Sequence, residues 1–432
     1  MPNRLFLALA AACLSAPAAA ELSPAEERIV ATVEASQEEH FALLERLVEV
    51  NSGTHNHAGV REVGEMVRPV LEGLGFTVEW IDQSAAGRAG HLFARREGGA
   101  GTRMLLIGHL DTVFEASSPF QDFTRDGMRA TGPGAEDNKG GVVIMLMALA
   151  AMQAAGTLDG ANIVVALTGD EEDAGDPLAI ARADLIDAAE WADVALDFES
   201  LGMADGRDMG SVARRSSNSW TLTTSGREGH SSQVFSAGSG YGAIYELARI
   251  LDRFRQELPE EDLTYNVGLL AGGSMADVSE DGLAAQASGK TNIIAPVAVA
   301  RGDLRTISPE QTTRVVARMQ AIADENLPGT DATLEIELRY PPMPPTQANR
   351  ALLGRLNTVN SDLGLPEMPT LPPALRGAGD INFIADKADG LVGLGAAGTG
   401  SHAPGETVDL ASFARQAERA AILMSRLAAE TR

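Results

Sequence analysis

The chain has 432 residues, 44% of them hydrophobic and only 4% aromatic, which suits a globular protein with more than one core. It carries 60 acidic against 34 Lys and Arg side chains, a formal charge of −26. With no basic tract to offset that charge, nucleic acid and anionic membrane surfaces are excluded as partners.

Residues 1–20 read as a signal peptide. Arg4 gives a basic start, 5–14 is apolar, and Ala18-Ala19-Ala20 supplies a small-residue cleavage pattern. The apolar part falls short of the ~20 residues needed to span a bilayer. Cleavage after Ala20 would remove Cys13, the single cysteine, with lipid anchoring at Cys13 as the alternative. The mature protein is expected to be exported, periplasmic or secreted, with no membrane contact after cleavage.

Helical periodicity covers 26–50 and 57–74, the second interrupted by Pro69. Strand-like runs follow at 76–81, 91–95, 104–108 and 163–168, with a long helical pattern over 140–155. Continuous apolar strands alternating with helices predict a mostly parallel α/β sheet covered on both faces. The pattern changes near residue 212. Residues 220–224 alternate like an exposed strand, a helix covers 239–257, and shorter strands are expected at 266–271, 298–305 and 332–338. Ser308-Pro309-Glu310-Gln311 is a helix start, with a Ser cap, Pro at N1 and Gln at N3. These make an inserted α+β unit of four strands and two helices. The predicted organisation is a discontinuous domain of 21–211 and 342–432 around an insertion of 212–341. The Pro-rich 341–345 forms a stiff exit, and a final amphipathic helix carries Phe413, Ala417, Ala420, Met424 and Leu427.

Acids and histidines stand repeatedly at the ends of the buried runs. His109 and Asp111 follow 104–107, Glu171-Glu172 close 163–167, and Glu199 ends 194–198. Asp137 lies in a glycine-rich loop and His402 in Gly400-Ser401-His402-Ala403-Pro404. Taken singly, His109 reads as a core histidine, Asp137 as a helix cap, Asp111 as a turn former and Glu172 as part of an acidic loop. Their co-occurrence points instead to a two-metal site, in which a carboxylate such as Asp137 bridges. His109 and Asp111, two apart, share a face if extended, so Asp111 can orient the imidazole. Of the adjacent pair Glu171 and Glu172, one can bind metal while the other faces water as a base.

The order His-x-Asp, Gly-Pro-Gly-Ala-x-Asp-x-Lys-Gly-Gly, Asp-Glu-Glu, Phe-Glu and late Gly-x-His resembles the co-catalytic zinc aminoacylase/carboxypeptidase family, the M20 metallopeptidases. Within that family it resembles the carboxypeptidase G, or glutamate carboxypeptidase, branch, from about residue 40 to the C-terminus. The resemblance implies two Zn²⁺ per subunit, with Co²⁺ or Mn²⁺ also suited to the ligands. One metal would sit on His109, Asp137 and Glu199, the other on Glu172, Asp137 and His402. Glu171 would be the general base, Asp111 the partner of His109, and the Asp137–Asn138 peptide cis. The insertion would be a lid and dimerisation domain whose His230 reaches across a homodimer to the scissile carbonyl. Asn292 and Arg305, with Arg339, would grip a substrate carboxylate, and Gly398, Thr399 and Gly400 would offer backbone donors. Asp380 fits a structural glycine turn.

The implied activity is release of a C-terminal amino acid from a small peptide or N-acyl amino acid by amide hydrolysis. Alternatives are an N-acyl-amino-acid hydrolase or dipeptidase of the same family, or a non-catalytic periplasmic binding protein on this scaffold. The chain departs from the family after Glu172, at 203–210 and at Arg214-Arg215, which leaves a glutamate preference open.

Overall fold

A computed structural model describes residues 22–279 and 282–430. The expected signal peptide lies outside the described residues. Among the described residues no helix is long and apolar enough to cross a membrane.

The larger sheet has six strands in the order Thr77–Asp82, Gly90–Arg96, Asn162–Thr168, Arg103–His109, Val194–Asp197, Asp389–Val392. The last four run parallel, with Ile107 opposite both Ala166 and Asp197. Alternation along these strands feeds two cores. Met104, Leu106, Ile163 and Val165 point into one, while Leu105, Ile107, Val164 and Ala166 point into the other. Pro24–Val48, Lys139–Ala155 and Ala411–Ala429 cover the first face, and Ala183–Trp191 packs on the second. Lys139–Ala155 is buried almost all round, which explains why its sequence lacks a polar stripe.

The first two strands run antiparallel to their neighbours, a departure within the mostly parallel sheet. The link 83–89 is too short for a crossover, so those strands can only form a hairpin. Pro69 does not break its helix, which runs His57–Gly73 behind an Asn56 cap.

A second sheet, Thr264–Gly273, Val297–Arg305, Ser217–Gly226, Thr330–Tyr340, is wholly antiparallel and carries helices Ala243–Glu257 and Pro309–Ala323. It has its own core of Trp220, Leu222, Leu247, Ile250, Phe254 and Met319 among others. Trp220 therefore faces inward, edge-on to Phe254 at 6.1 Å, while Thr221 and Thr223 take the outer face. The Ser308 side chain caps Gln311 N–H as expected, while Gln311 Oε1 reaches past the cap and accepts from Ile307 N–H. The preceding helix begins at Ala243 rather than 239, because Gly240 and Gly242 sit at φ +70° and +80° and turn the chain. The segments entering and leaving this unit pair through both backbone hydrogen bonds between Arg214 and Met343.

Candidate metal centre

The carboxyl ends of the parallel strands deliver His109, Glu171, Glu172 and Glu199 to one edge of the larger sheet, where open α/β sheets bind ligands. Asp137 enters from the loop before Lys139–Ala155. At Gly134, φ +72°, a Cβ would lie 2.4 Å from Thr112, and at Gly141 it would lie 2.0 Å from the Phe198 carbonyl. The loop reaches the strand ends only because those side chains are missing. The Asp137–Asn138 peptide is cis, as expected.

The two oxygens of Asp137 face opposite ways. Oδ1 is 3.2 Å from His109 Nε2 and Oδ2 is 3.3 Å from His402 Nε2. Glu199 Oε1 stands 3.4 Å from the same His109 nitrogen, and Glu172 Oε2 stands 3.1 Å from the His402 nitrogen. The structure thus forms two half-sites joined by one carboxylate. Donor atoms of His109, Asp137 and Glu172 lie within 4.8 Å of one another, as do those of His109, Glu171 and Glu199, so Glu171 stands beside the ligand set. Among the described residues the buried Glu172 Oε1 has no hydrogen-bond partner, and a cation would satisfy it. Two imidazoles and three carboxylates fit zinc, cobalt or manganese.

His109 Nδ1 faces the Asp111 carbonyl oxygen at 3.1 Å and Oδ1 at 3.3 Å, which leaves Nε2 toward the ligands. Asp111 also accepts from Glu171 N–H, Glu172 N–H and Thr54 Oγ1. One buried carboxylate therefore aims both the ligand imidazole and the Glu171-Glu172 turn.

Among the side chains alone, protons are shared strongly. Burial, then the charge of Glu199, pushes the Glu171 carboxyl well up. Burial and the charge of Asp137 push Glu172 up to about 7 against the pull of His402. Burial opposes ionisation of Asp137, but hydrogen bonds from His109 and His402 hold it well below the usual carboxylate range. Hydrogen bonds to Asp137 and Glu172 raise His402 to about 11. Such protons are what metal ligation displaces.

The sequence model of the family described as Peptidase family M20/M25/M40 matches residues 105–426. The chain belongs to this peptidase family.

Among its M20 relatives is carboxypeptidase G2 of Pseudomonas sp. (strain RS-16), 30% identical over 203 residues, 45% of this chain and 47% of that protein. A succinyl-diaminopimelate desuccinylase of Nitrosospira multiformis is 27% identical over 392 residues, covering 86% of this chain and 94% of the relative. The chain spans about half the length of the first curated relatives it matches. The fold is shared with aminopeptidase PepT of Bacillus cereus ATCC 10987, with TM-score 0.70, 18% identity, and coverage of 91% of this chain and 99% of that one. It is also shared with the Bacillus subtilis YXEP protein, described as a dinuclear metal binding peptidase of the M20 family, with TM-score 0.63, 14% identity, and coverage of 91% and 98%.

The other residues singled out from this M20 sequence lie apart from the cluster. His230 is exposed, with Nδ1 2.8 Å from Ser232 Oγ, and sits beside Asn292 through the Ser231 N–H to Asn292 carbonyl bond. Arg305 donates to Asp303, and Arg339 pairs with Glu337. Among the described residues, no hydrogen bond or ion pair within one chain joins His230, Asn292, Arg305 or Arg339 to the candidate metal ligands. Gly398 and Thr399 line the cavity of about 550 Å³ that holds the site, while Gly400, at φ +84°, turns the chain into His402. Asp380 is structural, buried against Arg182 Nε at 2.9 Å and accepting from Thr168.

Sequence reasoning missed several supports. Buried Glu406 accepts from the N–H groups of Gly134, Glu136 and Asp137, tying the Asp137 loop to the His402 segment. Its position four residues after His402 was the available signal. Tyr340 donates to the Glu171 carbonyl at 2.7 Å. Arg214 and Arg376 each stand 3.5 Å from Glu199 Oε2, and burial is outweighed by the Arg214 charge, so the Glu199 carboxyl is lowered.

Proposed function

We propose that this chain is a two-metal amidohydrolase that cleaves an amide bond and releases a C-terminal amino acid from a small peptide or N-acyl amino acid. The observation that carries the reading is the division of Asp137 between the His109 and His402 half-sites, with Glu171 beside them. His109, Asp137 and Glu199 would hold one ion, and Glu172, Asp137 and His402 the other. Divalent ions bound there would polarise the amide carbonyl and lower the pKa of an attacking water.

Glu171 does the proton work. Its carboxylate takes a proton from the attacking water as the new C–O bond forms, then gives that proton to the amine nitrogen as the C–N bond breaks. Burial and neighbouring acids raise the proton affinity of its carboxylate, which suits a base that must become an acid in the next step. Asp111 keeps Glu171 in place through its backbone N–H, and Tyr340 does so through its carbonyl.

Asn292 and Arg305, with Arg339, supply the grip on the substrate carboxylate, which answers the acidic surface with local cations. Because His230 is exposed and joined to none of the ligands in its own chain, we assign it to the site of a second copy, where it would stabilise the oxyanion. The exposed apolar side chains Phe235, Tyr245, Val267 and Leu270 support association through this unit. Export, drawn from residues 1–20, belongs to the same reading.

The test is amino-acid release from N-acyl amino acids, dipeptides and a folate-type glutamate conjugate by the metal-reconstituted protein. Glu171→Ala should lose about 10²–10⁴-fold in turnover. Equal turnover by both proteins, or none by either with both metals bound, would refute the proposal.

A further inference from the structure

Glu199 reaches both toward the metals and away from them. Its Oε1 faces His109, and its Oε2 faces two guanidinium groups, each at 3.5 Å. These two groups are in different situations. Arg214 is buried and committed, because its Nε and Nη2 each donate at 2.6 Å, to the carbonyls of Gly377 and Ala378. Gly379 makes room for it, since a Cβ there would lie 2.2 Å from Arg214 Nη1.

Among the described residues the Arg376 side chain makes one hydrogen bond, the long contact from Nη2 to Glu199, and its buried Nε has no partner, while its backbone N–H donates to the Pro373 carbonyl. A guanidinium presents five donors in a rigid fork and is costly to bury underused beside a second cation. Packing does not account for the cost, because Arg376 opens onto the same cavity of about 550 Å³ as the metal ligands. Met203 and Leu375, 44% and 62% exposed, stand on that wall as apolar flanks. Met203 and Arg214, which belong to segments that depart from the carboxypeptidase G branch, line this cavity, so part of the departure lies where substrate selectivity would be set.

We infer that Arg376 is a specificity-determining residue that receives a second carboxylate, carried on the acyl side of the scissile amide. The geometry follows from Glu199. Glu199 spans the gap between His109 and Arg376, so a short acyl chain whose carbonyl sat at the His109 half-site would carry a terminal carboxylate toward Arg376 along the wall that Met203 and Leu375 line. The amino-acid carboxylate is assigned to Asn292 and Arg305 on the other unit, so the preferred substrate is an amide with an anion at both ends. This deepens the amidohydrolase reading and rests on it.

Two probes of equal length separate the idea from simple metal binding: N-succinyl and N-butyryl derivatives of one amino acid, and succinate against butyrate by calorimetry. The wild-type protein should favour succinyl over butyryl by about tenfold or more in kcat/KM, and succinate over butyrate similarly in Kd. In Arg376→Gln both ratios should fall to within about twofold, mainly through KM. Arg376→Lys should retain part of the preference, because it keeps the charge and loses the fork. Metal content is measured alongside each variant. Ratios near one in the wild type, or a preference that survives Arg376→Gln, would overturn the inference. Loss of Glu171-dependent turnover on every amide would instead defeat the hydrolase reading, and the calorimetric ratio would still decide the role of Arg376.

Discussion

Removing the Glu406 carboxylate should loosen the bridging ligand before it unfolds the protein. Glu406 is fully buried. Its Oε1 accepts from Glu136 and Asp137 N–H at 2.7 and 3.0 Å, and its Oε2 accepts from Gly134 N–H at 3.2 Å. Glu406→Ala strands three backbone donors. At about 1–3 kcal/mol for each buried donor left unpaired, and with water entering the space vacated, a net loss of about 3 kcal/mol is expected. Glu406→Gln keeps one acceptor oxygen for Glu136 and Asp137 and turns an NH₂ toward Gly134, so about 1 kcal/mol is expected. Because the freed donors include that of Asp137 itself, metal affinity should fall about 10–100-fold in Glu406→Ala, as for other groups that orient metal ligands. Urea unfolding and competition with a chromophoric zinc chelator measure the two quantities separately. Wild-type metal affinity in a folded Glu406→Ala protein would refute the reasoning, whatever its stability.

Tyr340→Phe removes the donor to the Glu171 carbonyl and should lower kcat severalfold with KM little changed; an unchanged kcat would show that Glu171 is held by Asp111 alone. Burial, with the nearby charge of Glu34, pushes Glu418 up to about 7, so its folded form favours the proton. Its contribution to stability is therefore complete below its ordinary pKa of 4.5 and lost as pH rises through about 7. Glu418→Gln should stabilise the protein at pH 8 by about 1 kcal/mol, after allowance for partial exposure, and do nothing at pH 4; an equal gain at both, seen by thermal unfolding, would rule out this origin. Leu222→Ala in the smaller core should cost about 3 kcal/mol and open 212–341 to proteolysis, while metal content stays at the wild-type level. Metal loss in that variant would mean that the two cores are not separable.

Much of the candidate metal centre is legible in the chain because metal ligation demands rare residue types in places that local patterning marks. His109, Glu171 and Glu199 each follow an apolar run, and such runs in a parallel sheet end at one edge. Asp137 was legible from the glycines around it, which a loop passing this close to Thr112 and Phe198 requires. Strand alternation and the Ser308 cap likewise act within a few residues, so the second sheet could be read with small errors at its ends. The helix start at Ala243 slipped because two glycines with positive φ turn the chain where periodicity suggests a helix.

Local patterning in the chain marks candidate metal-binding side chains, most strands and helices, and the change of pattern near residue 212. The antiparallel turn of the first two strands, the anchoring by Glu406 of a loop some 270 residues before it, and the meeting of Arg214 and Arg376 at Glu199 emerge only in the folded chain. Periodicity and capping reflect forces that act over a turn of helix or a few strand residues. Buried hydrogen bonds and charge contacts join whatever the fold brings together, and they leave no spacing in the chain to read.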